Sequence, residues 1–225
     1  MANVDMSAFL PIMLPHAPGI PTVTAEFQLR LAVIEFCERT RCWRHMIDVE
    51  FTNDNHQAVV APDYATIHDF EFAVFSSEGV ERRPLVPTLY SEIGPDGLDL
   101  YAGSPPDHIS QVTPNTVTIF PFKAGTVSLS VFLKPRHGQD FTNAANTTPM
   151  QDHLNQVPEF LHTQWGEAIS AGALARCLSM PAKEWTNPQL AGYHAARFER
   201  YCDALFSTNI VGQQRAPRRI KPNYF

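Results

Sequence analysis

Apolar residues recur at a helical spacing near both ends of the chain and at an alternating spacing between them. That double switch constrains the fold more than any single motif. From Thr22 to about Arg41, Phe27, Leu31 and Ile34 make one apolar face, and Leu29, Ala32, Val33 and Phe36 make another. A helix apolar on two sides is buried on two sides. Thr22 or Thr24 is placed to cap its start. Arg39, Arg41 and Arg44 gather where the helix dipole favours cations. From about His45 to Pro135 the repeat becomes two. "DFEFAVF" alternates Phe70, Phe72 and Val74 against Glu71 and Ala73. "TVSLSVFLKP" sets Val127, Leu129, Val131 and Leu133 on one face. Turn signals at "TNDN", "SSEG", "GPDG" and "KAG" punctuate these runs. Short alternating strands so divided predict an antiparallel, sandwich-like β module.

The helical period returns after a long polar stretch. Pro158 opens a helix at its first turn, running to about Met180. Leu161, Trp165, Ala168, Gly172 and Ala175 fall on one stripe, and Phe160, Ala171, Leu174 and Leu178 on another. The spacings Ala168-x-x-x-Gly172 and Ala171-x-x-x-Ala175 let a second backbone approach closely, within one subunit or from a neighbour. Pro181 ends this helix. Asn187-Pro188 then reads as an N-cap followed by a proline at the first helical position. The last helix stacks Leu190, His194, Phe198, Tyr201 and Leu205 on one face, with Glu199 and Asp203 opposite. The predicted class is α+β. A helical body, made of an N-terminal arm and helix (1–44) and a C-terminal helical hairpin (158–206), carries an inserted antiparallel β module (45–135). A polar loop (136–157) and extended terminal arms, the last a basic docking tail (207–225), complete it.

Composition narrows the function. Hydrophobic residues make up 44% of 225, enough for a large core. A net charge of −6 does not suit a free-standing nucleic-acid binder. The charge is uneven, because Ser207 to Phe225 carry Arg215, Arg218, Arg219 and Lys221 and no Asp or Glu. "RAPRRIKPNYF" has two prolines and ends in Tyr224 and Phe225. It reads either as a solvated tail or as an extended arm that docks aromatics in a pocket and cations on an acidic partner. The four cysteines lack a C-x-x-C pair and read as reduced thiols. No stretch approaches the ~20 apolar residues of a membrane helix. "MANVDMSAFLPIMLPHAPGIP" lacks a basic start, so it reads as an extended arm, neither signal peptide nor anchor.

No catalytic residue, cofactor site or metal site is predicted. The chain has no P-loop, G-x-G-x-x-G, G-x-S-x-G or H-E-x-x-H. His153 and His162 straddle a helix start without metal-ligand spacing. His194 falls in an apolar stripe and reads as a satisfied core histidine. Asp96, Asp99 and Asp107 flank turns. Glu167 is expected at an exposed edge, or paired with Arg176 or a neighbouring chain. Trp165 and Trp185 are expected as anchors of the core or of a subunit interface, each contributing about 2–3 kcal/mol if buried. A carbohydrate-binding or polysaccharide-hydrolysing β-sandwich protein is the rival class, and a hydrolase would need paired carboxylates about 5–10 Å apart. Asp96 and Asp99 read as turn residues instead. A monomeric binding module for host factors is a third class.

Four segments carry a family resemblance. They are "LPIMLPHAPGIP" leading into "LRLAVIEFCERTRCWR", then "GSPPDHISQVTPNTVTIFPF", "VSLSVFLKP" and "WGEAISAGALARCLSMPAKEWTNPQLAGYHAARFE". Together they span about half the chain. The sequence resembles the head-to-tail adaptor (connector) proteins of tailed bacteriophages. The polar stretch from Arg136 to Gln156 departs from that pattern by its length before the final hairpin. The resemblance implies a virion structural protein that assembles in the host cytoplasm into a ring, commonly of about twelve subunits. Such a ring sits beneath the portal protein at the neck and extends the DNA channel. It receives a tail or nozzle protein and lets double-stranded DNA pass without sequence-specific binding. Within the same class, a stopper or nozzle subunit is the alternative. The resemblance brings no catalytic residues. It suits docking through Arg215, Arg218, Arg219, Lys221, Tyr224 and Phe225, and helix packing or subunit contact through Trp165, Ala168, Gly172, Ala175 and Trp185.

Overall fold

A computed structural model describes residues 2–53, 56–93, 104–136 and 155–211 of the protein. The proline-broken start is folded down, which corrects the expectation of an extended N-terminal arm. Strand β1 (Asn3–Asp5) pairs antiparallel with β10 (Gln156–Pro158). A 3-10 turn over Met6–Phe9, the one-turn helix α1 (Leu10–Met13) and a second 3-10 turn over Leu14–His16 follow. Pro11 and Pro15 are tolerated because each sits in a first turn, where the missing N–H has no intrahelical acceptor. Met6, Phe9, Leu10 and Met13 are all buried, and their burial holds the segment against the helical body.

That body is α2 (Thr22–Thr40), α4 (Glu159–Leu178) and α5 (Pro188–Val211), each packed against the other two. The N-cap of α2 is Pro21, with no side-chain cap, so neither Thr22 nor Thr24 caps it. Arg41 ends α2 in the left-handed region, φ 50°, its N–H donating to the Cys37 carbonyl at 2.9 Å. Its guanidinium pairs with Asp69 at 2.8 Å and lies 5.9 Å from the Phe132 ring centroid. Those contacts hold an arginine where glycine is the usual choice. Asn187 caps α5 as expected, its Oδ1 accepting from the Leu190 N–H at 3.1 Å. Helix α5 continues to Val211, past the expected boundary near residue 206.

Between α2 and α4 lie two four-stranded sheets. The first runs β2-β9-β4-β5, from β2 (Arg44–Phe51), β4 (Ala65–Ser77), β5 (Val80–Pro84) and β9 (Gly125–Pro135), all antiparallel. The second runs β3-β8-β7-β6, from β3 (Ala58–Val59), β6 (Val86–Pro87), β7 (His108–Thr113) and β8 (Thr116–Phe120). Within it β6 is parallel to β7. A short helix, α3 (Tyr90–Ile93), follows β6. Asn115 stitches the sheets together. Its Oδ1 accepts from the Ile67 N–H at 3.1 Å, and its Nδ2 donates to the Ala65 carbonyl at 2.7 Å.

The central strand β9 buries Val127, Leu129, Val131 and Leu133, as its alternation predicts. Phe70 of β4 packs on the core as expected, but from Phe72 onwards the core face is the opposite of the expected one. Ala73 and Phe75 are buried, while Phe72 is 42% exposed. Register shifts at Ile67/Asp69 and Phe70/Phe72 reset the alternation, since each extra residue moves the following side chains to the other face. Body and module share one buried cluster. Arg30 of α2, fully buried, joins them. It donates to the Arg136 carbonyl at 3.0 Å and to Asn155 Oδ1, the flanks of the predicted polar loop. Residues 137–154 of that loop lie outside the described residues.

Candidate assembly interface

The α4 residues are small because of what touches them. A Cβ on Gly172 would lie 2.7 Å from the Phe198 ring of α5, and one on Gly166 would lie 3.3 Å from Ile12 Cδ1. Every residue from Ala168 to Leu174 is buried, because α2, α5 and the N-terminal segment each cover a side of α4. Ala168 and the inner face of Gly172 therefore serve contacts inside the subunit. Ala175 is half-buried and faces outward. With Gly172, Gly192 and Ala195 it lines an open groove of about 490 Å³ between α4 and α5. A Cβ on Gly192 would meet nothing within 4 Å.

Ion pairs fence this groove. Arg39 reaches Glu199 at 2.6 Å, Asp203 at 3.2 Å and Glu35 at 3.6 Å, and Arg176 also pairs with Glu35. The Arg39 hydrogen bond holds the Glu199 carboxyl below its usual range. At such exposure each pair contributes about 0–1 kcal/mol, so the fence orients the helices more than it stabilises them. Glu167 is exposed, as expected, but it pairs with Arg197 across the hairpin and not with Arg176.

Trp165 is half-buried on the core, its ring 6.3 Å from that of Phe36. Trp185 is half-buried in the α4–α5 connection, and its buried Nε1 has no hydrogen-bond partner among the described residues. His194 is buried in the helix stripe as read from sequence, yet it is not satisfied, since neither ring nitrogen has a partner among the described residues. His162 lies edge-on to Phe9, and Asp107 pairs with Arg83 at 3.3 Å. His153, Asp96 and Asp99 lie outside the described residues, as do Arg215, Arg218, Arg219, Lys221, Tyr224 and Phe225. Cys37, Cys177 and Cys202 are buried and free. Burial pushes the Cys177 thiol up to about 11 and that of Cys202 to about 12, which keeps both unreactive. Among the described residues no cluster of three or more His, Cys, Asp or Glu could hold a metal, and no helix is long and apolar enough to cross a membrane.

Two exposed apolar pairs were not legible in the sequence. Val23 and Phe27, one turn apart on α2, are 62% and 40% exposed. Met46 of β2 and Phe72 of β4 are 67% and 42% exposed, and both stand opposite Ser130 of β9, so they flank one position of the outer sheet face. The ion pair of Arg44 with Glu71, at 2.7 Å, borders that patch. No family model matches the chain, and no curated protein matches its sequence.

Proposed function

We propose that this chain is a virion structural protein. It acts as a head-to-tail adaptor that forms a ring between the portal and the tail of a tailed bacteriophage and extends the DNA channel. The observation that carries this reading is the α4–α5 groove. The segment with the strongest resemblance builds a hairpin whose inner small residues are taken up by Phe198 and Ile12. Its outer ones, Ala175, Gly192 and Ala195, leave an open groove beside them. A closed ring requires two different surfaces on each subunit, one to receive and one to insert. The groove is the receiving surface, and the exposed pairs Val23–Phe27 and Met46–Phe72 supply apolar side chains for insertion. The acidic body suits a channel along which DNA slides without sticking. The basic tail from Arg215 to Phe225 docks on the portal, and the opposite side of the ring receives a tail or nozzle protein.

Light scattering and particle imaging of the purified chain, alone and mixed with its portal, test this. A ring formed on the portal is the expected result. A monomer indifferent to the portal sinks the reading.

A further inference from the structure

The N-terminal segment and the helical hairpin border a separate, half-open pocket of about 220 Å³, lined on one side by Ile12, Ala171 and Leu174 and on the other by polar side chains. His194 of α5 is 4% exposed and Ser170 of α4 is 1% exposed, and both line it. Neither His194 ring nitrogen nor the Ser170 hydroxyl has a hydrogen-bond partner among the described residues. His16, from the N-terminal segment, stands edge-on to His194 with ring centroids 5.7 Å apart. Arg197 and its partner Glu167 complete the polar lining. Buried polar atoms are rarely left unpaired, so a lining of this kind marks a place for a bound group.

The donors specify that group. A hydroxyl and two imidazoles can each present an N–H or O–H, and they converge from three separate elements. Two imidazoles without a third ligand do not make a metal site, and Arg197 repels a cation. Glu167 and Arg197 pair with each other and so bring little net charge to the pocket, which leaves the direct contacts to Ser170, His194 and His16. We propose that this cavity binds a small tetrahedral oxyanion, inorganic phosphate being the simplest, held by Ser170, His194 and His16 with Arg197 beside it.

Binding is coupled to protonation. Burial, His16 and Arg197 each push the His194 imidazole below its ordinary range. A bound anion favours the protonated imidazole, so binding moves the His194 pKa back up, while phosphate itself loses charge as pH falls. The charged and titratable groups around His194 are His16 from the N-terminal segment, Glu167 from α4, and Tyr193 and Arg197 from α5. The ligand would tie His16 to the hairpin and so fix the N-terminal segment. This inference is independent of the assembly reading.

The test is NMR of the histidine ring protons of the full chain during titration with sodium phosphate, at about pH 6 and about pH 8, with chloride matching the ionic strength. Saturable shifts of His194 and His16 are expected, and bound phosphate should move the His194 titration midpoint up. Ser170→Ala should weaken binding about tenfold without loss of fold. Phosphate should raise the Tm of the parent chain more than that of Ser170→Ala. His194→Gln gives a second, independent weakening. Absence of saturation, the same shifts with chloride alone, or parent-like affinity in both variants overturns the proposal and leaves water as the occupant. Saturation by acetate but not by phosphate overturns the tetrahedral assignment.

Discussion

Gly172 and Gly192 lie on the two helices of one hairpin, and alanine at each should act in opposite directions. At Gly172 the new Cβ would lie 2.7 Å from Phe198 Cδ2 and 3.1 Å from its Cγ. Phe198 is 4% exposed, so its ring cannot swing away without opening the α4–α5 seam. Overpacking of this kind costs about 1–3 kcal/mol, against a gain of up to about 1 kcal/mol from replacing glycine in a helix. Gly172→Ala should therefore lose up to about 2 kcal/mol net. Gly192→Ala meets nothing and should gain about 0.5–1 kcal/mol. Urea unfolding followed by circular dichroism measures both, with the midpoint moving at constant slope. Gly192→Leu extends the test from stability to assembly, since it fills the groove while the subunit stays folded. It should abolish ring formation on the portal. A Gly172→Ala chain stabilised as much as Gly192→Ala would refute the close contact, and normal assembly of Gly192→Leu would refute the groove as the receiving surface.

Stability should fall on acidification, because burial depresses the imidazoles of both His194 and His45. Their contribution is complete above about pH 6.5 and is lost as pH drops through their lower folded values; melts in phosphate-free buffer that rise on acidification would contradict this. Arg30→Met keeps the stem but leaves the Arg136 carbonyl and Asn155 without their donor, at a cost of about 2–4 kcal/mol. An unchanged urea midpoint would show that the clamp contributes nothing. Truncation after Val211 should leave the Tm unchanged and abolish cosedimentation with the portal, whereas full attachment of the shortened chain would remove the tail from the docking role.

The large divisions of the fold were legible because two periods carry them. The cap of α5 and the core face of β9 come from the Asn-Pro pair and apolar spacing, whereas α2 starts at Pro21 without the threonine cap expected of it. The face of β4 beyond Phe70 was not legible, since a bulge leaves no mark in an alternating run and each one inverts the facing of every later residue in the strand. The N-terminal segment carried a usable signal. Met6, Phe9, Leu10 and Met13 have the spacing of a helical face, hidden by the prolines between and after them. Arg30 gave none, because its partners are a carbonyl and an amide more than a hundred residues away. The small residues of α4 announced a close approach, but only coordinates distinguish Gly172, filled by Phe198, from the open side at Gly192. His16 and His194 are distant in sequence, so their shared cavity was invisible there.

The insertion of the β module between α2 and α4 also sets the order in which the protein can fold during synthesis. Helix α2 is complete at Thr40, but its two helical partners end at Leu178 and Val211. At about 5–20 residues per second, α2 waits on the order of ten seconds or more for α4 and α5, with only the N-terminal segment and, once made, β9 to cover it. The antiparallel strands close among themselves in that interval. Strand β1 waits as well, since it has no partner until Gln156 emerges. The nascent chain thus exposes the surface of α2 that faces α4 and α5 for most of its elongation, which makes it a natural client for a holding chaperone.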